Sequence, residues 1–312
     1  ATFGLMPASI SHEGYSAKPM HSFWDDFWAL KGYSSIVEIA DALGETEAGR
    51  HFAMARDEFR QDLLAALKAT AAGQGIDYLP GSVELGDFDP TSSTIAFAPG
   101  GDPDALPHEL IKPTFERYWK EFLARRDGTK AWTDYTPYEL RNVSTFVRLG
   151  WRDRAQELLD FFMEGRHPQA WNQWPEVVAH DARTPVFIGD LPHAWVASDY
   201  IRAILDLFAY ERSDRAVVLA AGVPAAWLDR AGVAIRGLRT PYGTLSYSLV
   251  RTDERVAELT LSASGRVPPG GFVLAGPWRP VYAIVNGKPL VLQGNELRID
   301  DLEAKVVLQF SR

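Results

Sequence analysis

The hydrophobic period of this chain changes once, near Arg212, and that change constrains the fold more than any motif does. Before it, apolar residues recur at helical spacing: Phe52, Phe59, Leu63 and Leu67 in one run, Ala155, Leu158, Leu159, Phe162 and Met163 in another, and Ile201, Ile204, Leu205 and Phe208 in a third. After it come short alternating segments, among them Gly232 to Arg236, Leu245 to Val250 and Val256 to Leu261. With 312 residues the chain is long enough for two cores. The expectation is therefore a helical domain over 1–212 and a β domain over 213–312.

Helix stops punctuate the first part. Phe23 to Leu43 reads as a helix closed by Gly44, and Glu45 to about Thr70 as a second helix ended by Gly73 and Gly75. Together they predict a helical hairpin. Asp77 to Pro90, rich in Gly, Pro and Asp, reads as a loop, and Ser92 to Phe97 as a short helix broken by Pro99-Gly100-Gly101. Helical signal resumes near His108 and runs to Gly128, with Pro113 placed where the true start is expected. Further helices over Pro137–Leu149, Arg152–Glu164 and about His193–Tyr210 bring the number to seven or eight. In the second part, Asn286-Gly287 between Tyr282–Val285 and Pro289–Leu292 has the composition of a type I′ hairpin turn. The natural reading of this tail is an antiparallel β-sandwich.

Composition removes several classes of function. A formal net charge of -9 argues against nucleic acid, whose phosphates demand a basic surface. The absence of cysteine excludes disulfides, thiolate metal sites and cysteine nucleophiles. No run of ~18–20 apolar residues predicts a membrane span. The start of the chain lacks the basic-then-apolar pattern of a signal peptide, and Phe3-Gly4-Leu5-Met6-Pro7 reads as packing material, as in a piece of a longer polypeptide. Ten Trp and eleven Tyr suit amphipathic ligands such as sugars, and also suit cores.

Two stretches crowd acids among aromatics. The first is His21-Ser22-Phe23-Trp24-Asp25-Asp26-Phe27-Trp28. Trp24, Phe27 and Trp28 at i, i+3, i+4 also suit the core face of a helix, and Asp25 and Asp26 also suit a helix N-terminus. The second is Trp171-Asn172-Gln173-Trp174-Pro175-Glu176, in a long loop. Cleaving a glycosidic bond requires one carboxylic acid to protonate the leaving oxygen and a second carboxylate to activate water or attack the anomeric carbon. Aromatics beside such acids stack on sugar rings and, by desolvation, raise the acid's pKa toward working pH.

With these residues in order, the chain resembles the six-hairpin (α/α)6-barrel glycosidases, the group of glucoamylases, trehalases and bacterial α-L-rhamnosidases. Trp24-Asp25 is similar to the family's Trp-acid pair that supplies the general acid, with Asp26 beside it as a substrate-binding acid. Glu176, in the loop before the last helix, matches the place of the general base. Gly189-Asp190-Leu191-Pro192-His193-Ala194-Trp195 looks like the approach to the last barrel helix. The tail from Val217 through Gly237-Leu238-Arg239-Thr240-Pro241-Tyr242-Gly243 resembles the β-sandwich that follows the barrel in rhamnosidase-like members.

The resemblance implies an α/α-toroid portion followed by an antiparallel β-sandwich, and an inverting glycoside hydrolase with Asp25 as acid and Glu176 as base. Where several relatives use Glu the acid here is Asp, so Asp25 and Asp26 both stand as donors. It implies a carbohydrate substrate held by Trp24, Asp26, Trp28, Trp132, Tyr135, Trp171 and Trp174. Neither cofactor nor metal is implied, and an extracellular or periplasmic location is. A full six-hairpin barrel needs more helices than seven or eight. The toroid is then incomplete, and an N-terminal segment or a second chain would close it.

Other residues carry less. Asp87 and Asp89 suit sugar binding or turn chemistry. Tyr138, Arg141 and Asn142 group with Trp132 and Tyr135, as pocket lining or packing. His12-Glu13 and His180-Asp181 lack a third ligand at metal spacing. Two rival functions stand beside hydrolysis: a carbohydrate-binding or structural piece without turnover, and a phosphorylase, for which only Arg166 and Arg183 supply charge near Glu176.

Overall fold

The computed structural model describes residues 2–10, 17–132, 136–166, 168–176, 191–229, 231–277, 279–290, 292 and 296–310. Among these it contains seven α-helices and two β-sheets, a mixed α and β architecture. The chain divides into two compact units, Ala1–Thr145 with Gly165–Val196, and Phe146–Glu164 with Ala197–Arg312. The division cuts across the change from helix to strand. None of the described helices is long and apolar enough to cross a membrane.

In the first unit, α1 (Phe23–Leu43) and α2 (Thr46–Gln74) pack against each other as the expected hairpin. Gly44 (φ 75°) and Gly75 (φ 66°) stop them in the left-handed conformation that glycine adopts without a Cβ penalty. Helix α2 runs past the expected end at Thr70 and takes Gly73 inside. A helical glycine costs only about 1 kcal/mol, and buried Leu63, Ala66, Leu67, Thr70 and Ala71 outweigh that. Asp89 caps the short α3 (Pro90–Ser93) by accepting from the Ser92 N–H at 3.1 Å, and a 3-10 turn (Thr94–Ala96) follows.

Helix α4 (His108–Arg126) begins five residues before Pro113 instead of at it. The proline removes one hydrogen bond near the start, while Leu110, Ile111, Thr114 and Phe115 are buried around it and hold the extra turn in place. Over Pro137–Leu149, where one helix is expected, a 3-10 turn (Pro137–Leu140) precedes α5 (Arg141–Arg148).

The second unit contains α6 (Arg152–Glu164), whose bounds match the sequence pattern and whose Ala155, Leu158, Leu159 and Phe162 are buried. Helix α7 (Ala194–Phe208) stops short of Tyr210. Residues 209–211 instead form β1 (Ala209–Glu211), because Ala209 and Glu211 find backbone partners in β2 (Val217–Leu219). That pairing is non-local and invisible to a helical period. A four-stranded sheet continues with β6 (Phe272–Leu274), parallel to β2, and β9 (Leu297–Ile299), in the order β1-β2-β6-β9.

The six-stranded sheet is antiparallel throughout, in the order β3-β4-β5-β10-β7-β8. Its strands are β3 (Val233–Thr240), β4 (Gly243–Asp253), β5 (Val256–Ala263), β7 (Pro280–Val285), β8 (Lys288–Leu290) and β10 (Glu303–Phe310). Register aligns Tyr247, Leu261 and Ala304 in one row, and Leu249, Leu259 and Val306 in another, all on the buried face. Both sheets contribute to one apolar cluster. The β7–β8 hairpin closes through Asn286 (φ 50°) and Gly287 (φ 79°), both left-handed, as a type I′ turn requires.

Candidate active site

The N-terminal end of α1 is pinned to a distant loop. The Phe23 N–H donates to the Gly81 carbonyl at 3.0 Å, the Val83 N–H donates to the His21 carbonyl at 3.1 Å, and Ser22 and Ser82 form an antiparallel bridge. On this fixed end Asp25 and Asp26 occupy the first helical turn, where the helix dipole favours negative charge.

The two acids have different surroundings. Asp25 is half-buried and accepts a hydrogen bond from the Ser9 hydroxyl at 2.6 Å. Asp26 is 1% exposed. Its Oδ1 accepts from the Met6 N–H at 2.8 Å, and its buried Oδ2 has no partner among the described residues. Burial pushes the Asp26 carboxyl up to about 7. The Met6 hydrogen bond opposes that shift, the charge of Asp25 adds to it, and His21 acts against it. A carboxyl that holds its proton near neutrality has the protonation state of a general acid.

His21 is held by Glu84: ring Nδ1 lies 2.6 Å from Oε1, and the backbone N–H donates to Oε2 at 3.0 Å. Burial pulls the Glu84 carboxyl up, but the His21 hydrogen bonds outweigh it and hold the group below its ordinary range. The sequence contains no local sign of this pair, since the partners lie 63 positions apart.

Aromatic side chains extend from the acid pair toward the second acidic stretch. Trp24 meets Trp28 edge-on at 5.9 Å and Trp195 at 6.1 Å. Trp195 meets Tyr138 edge-on at 6.2 Å, and Tyr138 meets the His193 ring at 5.5 Å, with its hydroxyl 3.2 Å from His193 Nε2. The Arg141 guanidinium lies 4.4 Å over Tyr138 and 5.4 Å from Trp195. The His193 N–H then donates to the Trp174 carbonyl at 3.0 Å. An unbroken series of contacts therefore joins Trp24, beside Asp25, to Trp174, two residues from Glu176. Among the described residues no hydrogen bond or ion pair joins Asp25 or Asp26 to Glu176.

The remaining candidates fall as follows. Trp174 is 1% exposed and Trp24 8%, so both are core side chains as well as neighbours of acids. Trp28 and Glu176 are half-buried. Trp171 is 59% exposed, just before Asn172 in the left-handed region (φ 51°). Trp132 lies under the Arg125 guanidinium at 4.3 Å and edge-on to Phe122 at 6.4 Å. Arg125 also grips Glu139 through both oxygens, at 2.7 and 2.8 Å, and Glu139 accepts from the Tyr118 hydroxyl at 2.7 Å. This buried network escapes a sequence reading for the same reason as the His21–Glu84 pair.

Asp89 is used as a helix cap, and Asp87 accepts from the Ser82 hydroxyl at 2.7 Å. Tyr135, His12-Glu13, His180-Asp181, Arg183 and Gly189-Asp190 lie outside the described residues.

A cleft of about 310 Å³ along α2, lined by Asp57, Arg60, Gln61, Leu64 and Asp104, includes none of these acids, and Arg60 there is engaged by Asp102 at 2.9 Å. Among the described residues no group of three or more His, Asp or Glu could hold a metal ion. No family model matches the chain, and no curated protein matches it in sequence.

Proposed function

We propose that this chain is a glycoside hydrolase acting with inversion, with the Asp25–Asp26 pair supplying the proton and Glu176 the base. One observation carries the reading: the run of aromatic and backbone contacts that leads from Trp24 to Trp174 within a single unit. Two acidic stretches far apart in sequence are thereby tied to one aromatic cluster, and aromatic faces beside acids suit sugar rings. The α1–α2 hairpin supports an α/α-toroid portion, and the two sheets around one core support a following β-sandwich.

Within the pair, Asp26 holds a proton near neutrality but its Oδ2 is buried, while Asp25 is half-buried, so both stand as the donor. In the reaction the O–H bond of the donor carboxyl breaks as an O–H bond forms on the glycosidic oxygen. The C–O bond to the leaving group then breaks, and water attacks the anomeric carbon while giving its proton to Glu176. Inversion needs a carboxyl separation of ~6.5–9.5 Å to admit that water.

The test is NMR detection of the first-formed anomer across a panel of glycosides, with the Asp26→Asn, Asp25→Asn and Glu176→Gln variants beside the wild-type chain. Expected are an inverted product and a loss of at least ~100-fold in Glu176→Gln and in the variant of the pair that removes the donor, with sugar binding retained. A retained anomeric configuration overturns inversion. Binding without turnover in the wild type leaves a carbohydrate-binding protein, and product that forms only with phosphate makes it a phosphorylase. Whichever of Asp25→Asn and Asp26→Asn loses activity identifies the donor, and full activity in both overturns the pair as the proton source.

A further inference from the structure

The stretch from Gly4 to Ser9 reaches both acids and is fastened at each end. Gly4 (φ 77°) packs so closely on α2 that a Cβ there would run into the Asp62 side chain. At the other end the Ser9 N–H donates to the Met20 carbonyl at 3.0 Å, and the Met20 N–H donates back to the Ser9 carbonyl at 2.9 Å. Met20 is 5% exposed and leads directly into the fixed end of α1. Between these anchors the strap supplies two donors: the Met6 N–H to Asp26 Oδ1 at 2.8 Å, and the Ser9 hydroxyl to Asp25 Oδ2 at 2.6 Å.

Each donor decides something about its carboxyl. An N–H needs a lone pair, so Asp26 Oδ1 is the acceptor in either protonation state, and the carboxyl hydrogen falls on the buried Oδ2. The Ser9 contact has the short length of a charge-assisted O–H···O⁻ bond and holds the Asp25 carboxyl against rotation about its Cβ–Cγ bond. We propose that Met6 and Ser9 are positioning residues for the acid pair: the strap holds one oxygen of each carboxyl, Asp26 Oδ1 and Asp25 Oδ2, and so fixes which oxygen of each is left for the proton. Where the hydrogen sits does not depend on what the pair does; its use in proton transfer rests on the glycosidase reading.

The test on Met6 follows its amide by ¹H–¹⁵N NMR against pH in the full chain, and needs no change to the strap. Because this N–H is bonded to the Asp26 carboxyl, its shift is expected to titrate with a midpoint about 7. Asp25 and His21 are the other charges acting on that carboxyl, and Asp26→Asn separates its step from theirs: in that variant the titration is expected to vanish. A Met6 amide that stays flat from acid to alkaline pH, or that titrates equally in Asp26→Asn, overturns the proposal.

Ser9 is tested by kcat/KM for glycoside cleavage. Ser9→Ala is expected to lose on the order of tenfold, and Ser9→Thr, which keeps the hydroxyl, to recover most of it. Equal losses in the two variants leave Ser9 a packing residue and overturn its positioning role. Unchanged or increased activity in Ser9→Ala overturns it as well, an increase making the strap a cover over the acids. If the wild type cleaves no glycoside, the functional reading falls while the Met6 titration still decides the strap's hold on Asp26, and an Asp25 carboxyl ¹³C shift unmoved in Ser9→Ala overturns its hold on Asp25.

Discussion

The two units bury different chemistry. Among the described residues, every buried polar or charged side chain except Asp206 belongs to the first unit: Ser22, Asp26, Thr70, Ser82, Ser92 to Thr94, Thr114, Glu139, Arg141, Asn142, Ser144, Thr145 and His193. The core of the two sheets is built from Val, Leu, Ile, Ala and Phe, with Tyr242 and Tyr247 sending their hydroxyls to Glu211 and to the Phe208 carbonyl. Burying a polar group costs free energy unless each of its atoms is paired. The core of the two sheets avoids that cost, although elsewhere in the second unit Arg152 Nε and Gln156 Oε1 on α6 are buried without a partner among the described residues. The first unit carries it, and leaves Ser22 Oγ, Asp26 Oδ2, Asn142 Oδ1 and His193 Nδ1 buried without a partner among the described residues. Such a cost is retained where a site needs polar groups in a dry environment.

The contrast can be broken by substitution. The largest effect is expected from Glu139→Ala, which leaves the partly buried Arg125 guanidinium without its carboxylate and should destabilise the chain by about 3–5 kcal/mol in denaturant unfolding. A loss below about 1 kcal/mol would mean that polar burial in the first unit costs little.

Next is Asp26→Asn, for which the sign is opposite. The folded-state pKa of about 7 lies above the unfolded value near 3.8, so between those values the native state binds more protons than the unfolded chain. Stability contributed by this group is full below pH 4 and is lost as pH rises to 7. At pH 8 the variant should therefore be more stable than wild type by up to about 4 kcal/mol, and its stability should depend less on pH across that window. A variant less stable than wild type at pH 8 would remove the desolvation argument.

In the apolar unit, Leu261→Ala opens a cavity between Tyr247 and Ala304. It should cost about 3 kcal/mol, with no change in the pH dependence of unfolding. The smallest effect is expected from Gly287→Ala. A Cβ there meets nothing within 4 Å, so only the left-handed backbone penalty is felt, about 1 kcal/mol. A larger loss would show that the hairpin contributes more than its turn geometry.

Legibility in the sequence divides along the same line. Helix α1 is bounded by Phe23 and Gly44 as its pattern predicts, α6 spans Arg152–Glu164, and Asn286-Gly287 forms the expected turn. In each case the signal is local: an apolar period, a left-handed glycine, a two-residue turn. The misread elements are those decided by distant partners. Helix α4 keeps Pro113 because the surrounding residues are buried, and Ala209–Glu211 leaves a helical period because β2 offers backbone partners.

The candidate site follows the same rule. Asp25, Asp26, Trp24 and Trp28 stand out in the sequence as a cluster within a few residues. The Glu84 clamp on His21, the Met6 and Ser9 hydrogen bonds to the two acids, and the contacts through Tyr138 and His193 were not.

What the sequence determined alone is the alternation that makes one face of β4, β5 and β10 apolar, and the aromatic-acid stretch at the head of α1. Both are properties of neighbouring residues, and side-chain periodicity suffices to express them. Only the tertiary structure decided that Asp26 is the acid removed from water while Asp25 stays partly exposed. Adjacent residues on a helix point in different directions, and which direction is buried depends on the segments folded over them, here the stretch bearing Met6 and Ser9.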